Sequence, residues 1–70
     1  MNVRKLLAKM AENGITRTIL SNKAGICIRT LRERMRGESE WKQSEILRIA
    51  SILNLSPQDI VDIFFTQLVS

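Results

Sequence analysis

The residues best suited to bind another molecule lie between Arg17 and Arg36, where six of the seven charged side chains are basic. Arginine and lysine bind phosphate groups through charge-assisted hydrogen bonds, and arginine also offers a planar fork to guanine. Residues 1–37 carry nine basic and two acidic groups, whereas residues 38–70 carry two basic and five acidic groups. This asymmetry predicts a cationic face that meets a polyanion; a solvated basic surface is the alternative.

Residue types that carry catalysis or hold metals are scarce in the chain. There is no histidine and a single cysteine, Cys27, which excludes an internal disulfide, the usual zinc and haem sites and a Cys–His nucleophile. The basic half has few carboxylates, and no glycine-rich phosphate-binding loop is present. We therefore expect no enzyme activity, no cofactor and no metal. Cys27 is expected to be a weak helix cap, with a redox role as the alternative.

Apolar periodicity and capping residues predict five helical segments, and strand-like alternation is absent. Four of the segments are expected at about residues 3–13, 17–24, 28–36 and 43–53. The fifth has Ser56 as its N-cap and Pro57 as its first helical residue. Connections of two to six residues between such segments predict one compact all-α domain over residues 1–70.

The second and third segments contain the residues that two short helices need in order to cross closely. Ser21 is small where the two backbones approach, and Gly25 can take the positive φ of the turn. Ile26 anchors the turn, and Leu31 packs the third helix back onto the second. This series predicts a helix-turn-helix unit, whose second helix lies in the major groove of DNA.

The ordered series resembles the phage Cro and repressor-like helix-turn-helix family. The resemblance continues after Gly37, where Trp41 precedes Ser-Glu-Ile and an Ile-Ala pair follows. Leu-Asn-Leu-Ser then leads to Asp59 in the first turn of the last helix. It covers residues 3–65 and implies a five-helix lambda repressor-like DNA-binding domain with its helix-turn-helix at the second and third helices. The sequence departs from the family pattern at Arg17, Ser21, Cys27 and Lys42.

The resemblance also implies which residues read DNA bases: Ile28, Arg29, Thr30 and Glu33. Arg29 could donate two hydrogen bonds to guanine, and Glu33 could accept one from cytosine. Ile28 could contact a thymine methyl group. The alternative for Arg29 and Glu33 is an i, i+4 ion pair on a solvated helix face.

Further basic residues are candidates for contacts with the DNA backbone. Arg17 falls at the position where family members hold a phosphate, and the helix N-terminus assists such a contact. The other basic residues of this region are expected to bind phosphates or to serve as solubility charges: Lys23, Arg32, Arg34 and Arg36.

Near the C-terminus the chain has more apolar residues than one helix can bury. Two adjacent phenylalanines cannot share one helix face, so Phe64, Phe65 and Leu68 predict a contact between two copies of the chain. A frayed tail is the alternative. Trp41 is expected to be partly buried.

Together these features predict a cytoplasmic transcriptional regulator that binds double-stranded operator DNA as a homodimer, of the Cro-like phage or prophage repressor type. No apolar run approaches the roughly 18 residues of a membrane-spanning helix, so no membrane is expected. Another phage regulator protein is a candidate partner. The alternative function is that of an antirepressor or antitoxin, which would use the same fold to bind a protein.

Overall fold

The computed structural model describes residues 1–65 and contains five α-helices there. They are α1 (Val3–Glu12), α2 (Arg17–Ala24), α3 (Ile28–Met35), α4 (Gln43–Leu53) and α5 (Pro57–Phe64). The predicted all-α architecture is therefore confirmed, and residues 1–65 contain no strand. The helices α1 and α3 each end one residue earlier than expected, because Asn13 and Arg36 form their C-caps.

None of the helices within residues 1–65 is long and apolar enough to cross a bilayer.

Three of the five helices begin at the side-chain caps that the sequence indicates. Oxygen atoms of Asn2, Thr16 and Ser56 each accept a hydrogen bond from the backbone N–H three residues later, at 3.1–3.2 Å. The carboxylate of Asp59 accepts the N–H of Ser56 in return, at 3.2 Å, which completes a capping box. These bonds satisfy N–H groups that the first helical turn leaves without a partner.

Aliphatic side chains from all five helices form the core. The helix α2 packs against α3 and α4, while α5 packs against α1 and α4. Because the chain has only three aromatic residues, each large aliphatic side chain must supply its share of stability, about 1.5–3 kcal/mol when fully buried. The largest fully buried side chains are Leu6, Leu20, Leu31, Ile49, Leu53 and Ile63.

The turn between α2 and α3 has the predicted geometry. Gly25 lies in the left-handed region at φ 68°, where a side chain would be strained. The N–H of Ile26 donates to the carbonyl of Ser21 at 3.0 Å, and both residues are buried. Leu31 is fully buried, so the middle of α3 packs against the core.

The connection between α3 and α4 depends on a bidentate ion pair between Arg34 and Glu45. Arg34 Nε donates to Glu45 Oε1 at 2.7 Å and Nη2 donates to Oε2 at 3.2 Å, with the two side chains only 12% and 10% exposed. Nη1 also donates to the hydroxyl of Ser39 at 2.7 Å. The expectation that Arg34 binds phosphate or serves as a solubility charge is wrong, because its guanidinium group is occupied inside the protein.

Glu45 also replaces the missing cap of α4. Lys42, the N-cap residue, has no side-chain oxygen, but its backbone N–H donates to Glu45 Oε1 at 2.8 Å. Burial raises the pKa of the Glu45 carboxyl group, but the hydrogen bonds from Arg34 and from the Lys42 backbone outweigh it and hold that pKa below its ordinary value. One carboxylate therefore both starts α4 and fixes α3 against it.

We expect Glu45→Gln to lower the free energy of unfolding at pH 7, because it leaves the Arg34 guanidinium without its counter-charge. A carboxylate with a lowered pKa stabilises the fold above its unfolded pKa of about 4.3 and loses that contribution as the pH falls through its folded pKa. The difference between the variant and the wild type should therefore shrink below about pH 4.3. Urea unfolding followed by circular dichroism over a pH series measures it.

The matched control is Glu38→Gln, because Glu38 pairs with Arg36 on the surface and both side chains are more than half exposed. An exposed pair contributes little, so this variant should resemble the wild type at every pH. Equal destabilisation by the two substitutions, or a Glu45→Gln deficit that does not change at acid pH, would contradict the role assigned to Glu45.

Candidate nucleic-acid interface

The helix α3 turns one side to the core and the other to solvent. Leu31 and Met35, four residues apart, are buried. Arg29 and Arg32 lie off that line and are exposed, with 88% of the Arg29 side chain accessible. The helix begins after Cys27, which is exposed and makes no capping hydrogen bond, so its start is held by the packed turn before it.

The four residues expected to read bases lie in the first two turns of α3 but differ in accessibility. Arg29 is fully presented to solvent, while Thr30 and Glu33 are half-buried. Ile28 is also half-buried and packs in part against the core, so only part of its side chain is available to a ligand.

The ion pair considered for Arg29 and Glu33 is present. Arg29 Nε lies 3.4 Å from Glu33 Oε1, one turn along the helix. A pair of this kind on an exposed helix surface stabilises a helix by about 0.2–0.5 kcal/mol, which a ligand can easily replace. The pair thus orients the guanidinium group of Arg29 but is weak enough for a ligand to replace Glu33 as its partner.

The four residues expected to bind phosphate are all exposed. Arg17 is the first residue of α2, directly after the cap Thr16, and Lys23 lies in the last turn of the same helix. Arg17, Lys23 and Arg32 form no ion pair within residues 1–65, whereas Arg36 is paired with Glu38. Arg17, Arg32 and Arg36 line one open groove, so α2 and α3 present these cations on a common side.

The two adjacent phenylalanines lie in different environments. Phe64 is half-buried against the core and meets Trp41 edge to face, with ring centroids 5.1 Å apart. Trp41 is itself partly buried, as expected, and its Nε1 donates to Met1 Sδ at 3.1 Å. Phe65 is exposed, and Leu68 lies outside the described residues. Phe64 therefore belongs to the folded core. Of the residues expected at a contact between two copies, only Phe65 is both described and exposed.

Leu47, which the sequence analysis did not single out, extends the apolar surface at Phe65. Its side chain is 58% exposed, the highest value among the exposed large apolar residues within residues 1–65. It borders a shallow groove of about 380 Å³ that is also lined by Trp41, Gln43, Ile46, Ile60 and Phe65. The signal was present in the sequence, because Leu47 falls off the inward stripe of α4.

Comparison with known proteins gives a family. Residues 1–67 match the family model described as "Protein of unknown function (DUF739)". The chain belongs to this family. No curated protein and no solved structure matches the chain. The description of this family states no activity.

The different environments of the two phenylalanines lead to a prediction about stability. Phe64→Ala should lower the free energy of unfolding by about 2 kcal/mol, since it removes a half-buried ring and its contact with Trp41. Phe65→Ala should lower it by less than about 1 kcal/mol at the same protein concentration. Chemical unfolding followed by circular dichroism measures both, and equal losses would show that the two rings are not packed as described.

Proposed function

We propose that the chain is a sequence-specific transcriptional regulator, a Cro-like repressor of phage or prophage type that acts in the cytoplasm. The observation that carries this proposal is the two-sided helix α3, with Leu31 and Met35 buried and Arg29 presented to solvent. The glycine turn after α2 supports α3 from behind. The major groove of B-form DNA, about 12 Å wide, admits a helix held in this way.

The exposed cations beside α3 support a nucleic acid as the ligand. Arg17, Lys23 and Arg32 form no ion pair within residues 1–65, so each can neutralise a DNA phosphate without breaking an internal contact. Contacts of this kind supply most of the affinity for any duplex, and they fix the position of the protein on it. Base recognition then falls to the first turns of α3.

Arg29 is the strongest candidate for base recognition. Its fork-shaped guanidinium group matches the O6 and N7 acceptors of guanine, and 88% of its side chain is exposed to solvent. Glu33 lies one turn later and can accept from the cytosine amino group. Thr30 and the accessible part of Ile28 are the further base contacts.

A homodimer is part of the proposal, and the apolar surface of α4 and α5 supports it. Leu47, Val61 and Phe65 are exposed large apolar residues of these helices. A dimer through this surface would need to place its two α3 helices about one DNA turn, about 34 Å, apart. Such a dimer would bind a pseudo-palindromic operator and block transcription by occupying the promoter.

The same apolar surface keeps a second candidate function open, that of an antirepressor or antitoxin that binds a protein. The two candidates differ in their response to salt. A DNA-binding chain should lose affinity for duplex DNA steeply as salt is added, because each phosphate contact releases counterions. Absence of salt-dependent duplex binding would favour the protein-binding candidate.

Selection of bound duplexes from a random pool should give an operator in which one base pair depends on Arg29. Arg29→Ala should weaken binding to that operator by about 1–3 kcal/mol and non-specific binding much less. Arg29→Lys should keep the charge but lose discrimination at that base pair. Titration of each variant against the operator and its single-base-pair substitutions measures this.

Arg17→Ala is the control for that experiment. As a phosphate contact, it should weaken binding to all sequences about equally and reduce the salt dependence by about one phosphate. If the wild type and both Arg29 variants discriminate alike, then Arg29 is not a base-reading residue.

Dimerisation gives a separate prediction. Replacing both Leu47 and Phe65 with serine should shift sedimentation towards the monomer and weaken operator binding, while the helical circular dichroism is retained. Ile19→Ser is the control for exposure, because Ile19 on α2 is as exposed as Phe65 but does not line the groove at Leu47 and Phe65. It should not change sedimentation. A wild-type protein that is monomeric both free and on its operator would rule out this interface.

A further inference from the structure

A larger open groove, of about 1020 Å³, lies between α1 and the C-terminal half of α3 and shares no lining residue with the groove at Leu47 and Phe65. Its floor is apolar and is formed by Val3, Leu7 and Met35. Val3 and Leu7 are one helical turn apart, and methionine adapts its shape readily to a bound side chain. The rim is basic and consists of Arg17, Arg32 and Arg36.

The rim has an unbalanced charge. No carboxylate lines the groove within the part of the chain that is described, and Arg17 and Arg32 have no ion-pair partner there. Within residues 1–65, Arg36 has Glu38 as its acidic partner, and that pair is exposed to solvent. An anionic ligand would therefore meet three guanidinium groups with little competition from the protein itself.

DNA alone does not account for this groove. Phosphate groups can use the arginine rim, but they have no use for an apolar floor. A floor with apolar positions one turn apart suits a protein segment that inserts apolar side chains at the same spacing. The helix α1, with ten residues, is about 15 Å long, which accommodates nearly three turns of a bound helix.

A second copy of this chain is not a good ligand for the groove, because it has few free carboxylates for the basic rim. Six of its seven acidic residues already lie within ion-pair distance of a basic residue of the same chain, and the seventh, Glu40, has no ion pair among residues 1–65. A partner with its own surplus of carboxylates complements the rim better than this chain does.

We propose that the groove between α1 and α3 binds an acidic amphipathic segment of another protein. Apolar side chains of that segment contact Val3, Leu7 and Met35, and its carboxylates pair with the arginines of the rim. Because Arg17 and Arg32 are shared with the DNA contacts, the bound segment excludes DNA and releases the operator. The exclusion rests on the proposed DNA-binding function, whereas the binding of the segment does not.

The probe is a fluorescent synthetic peptide, rich in glutamate, with leucines at i, i+4 and i+7 of a helix. Its binding to the full chain is followed by fluorescence anisotropy at physiological ionic strength. Saturable binding is expected, and replacing the leucines with serine at unchanged charge should weaken it roughly tenfold or more. Equal binding of the serine peptide would show attraction by charge alone and would overturn the proposal.

A pair of variants on α1 locates the binding site. Val3→Glu places a carboxylate in the floor, and an acidic residue in the first helical turn, which α1 lacks, favours the helix. Ala8→Glu makes the same charge change at an exposed position of α1 that does not line the groove. Val3→Glu should weaken peptide binding roughly tenfold, and Ala8→Glu by less than about threefold. Equal effects would overturn the proposal.

A second pair keeps the test decisive if Val3→Glu fails to fold. Arg32→Glu removes a rim cation, and Arg4→Glu makes the same charge change at an exposed site that does not line the groove. Only Arg32→Glu should abolish peptide binding. Loss by neither or by both would mean that the groove does not select the peptide and serves DNA only.

Competition against a labelled duplex completes the experiment. The peptide should displace the duplex from the wild type, whereas the serine peptide should not. If the peptide binds at the groove but no duplex is bound in the first place, the proposed DNA-binding function fails and the docking site stands. If both ligands bind at the same time, the exclusion of DNA is wrong.

Discussion

The structure depends most on how α3 is held, because a helix of eight residues does not persist in water without tertiary contacts. Its inner side carries two apolar anchors, Leu31 and Met35, and one polar anchor, the ion pair of Arg34 with Glu45. The ion pair has a preferred geometry, whereas apolar contacts are not directional. A bidentate pair fixes the rotation of α3 about its axis, and that rotation decides which side chains face outward.

The surrounding elements are arranged around this requirement. Glu45 cannot hold Arg34 unless α4 begins where it does, and the same carboxylate accepts the backbone N–H that starts α4. On the other side, Gly25 reverses the chain, and Arg48 of α4 donates from Nη1 to the Ala24 carbonyl at 3.2 Å, where α2 ends. The helix α4 thus contacts both α2 and α3. A substitution in α4 that moves these contacts would therefore also move the side chains on the exposed side of α3.

Local signals in the sequence were sufficient for the helices, and tertiary charge pairing was not. Ser56 with Pro57, and Gly25 with Ile26, each specify their own backbone, so the helix positions follow within one residue at the ends. The role of Arg34 does not follow in this way, since its partner Glu45 is eleven residues away and the pairing needs the α3–α4 turn to be in place. The exposure of Leu47 follows from its place off the inward stripe of α4. The groove at Val3 and Leu7 lies between two helices, so the pattern of a single helix does not describe it.

The distribution of ion pairs explains why a modest net charge of +4 can act as a strong local field. Acidic residues are mostly consumed within the chain: Lys5 reaches Asp62 at 2.7 Å and Asp59 at 3.4 Å, which joins α1 to α5. The hydrogen bond to Asp62 is the main reason that the pKa of Lys5 is raised.

The cations left over are grouped rather than scattered. Arg17 and Arg32, which form no ion pair within residues 1–65, lie on one groove. Arg29 projects from the same helix as Arg32, and its ion pair with Glu33 is exposed to solvent. A cluster of unpaired cations steers a polyanion over roughly a Debye length, about 8 Å at physiological salt, before any specific contact forms. Binding would then depend on two features of the chain. The buried ion pair of Arg34 with Glu45 fixes the orientation of α3, and the exposed cations attract the polyanion to that helix.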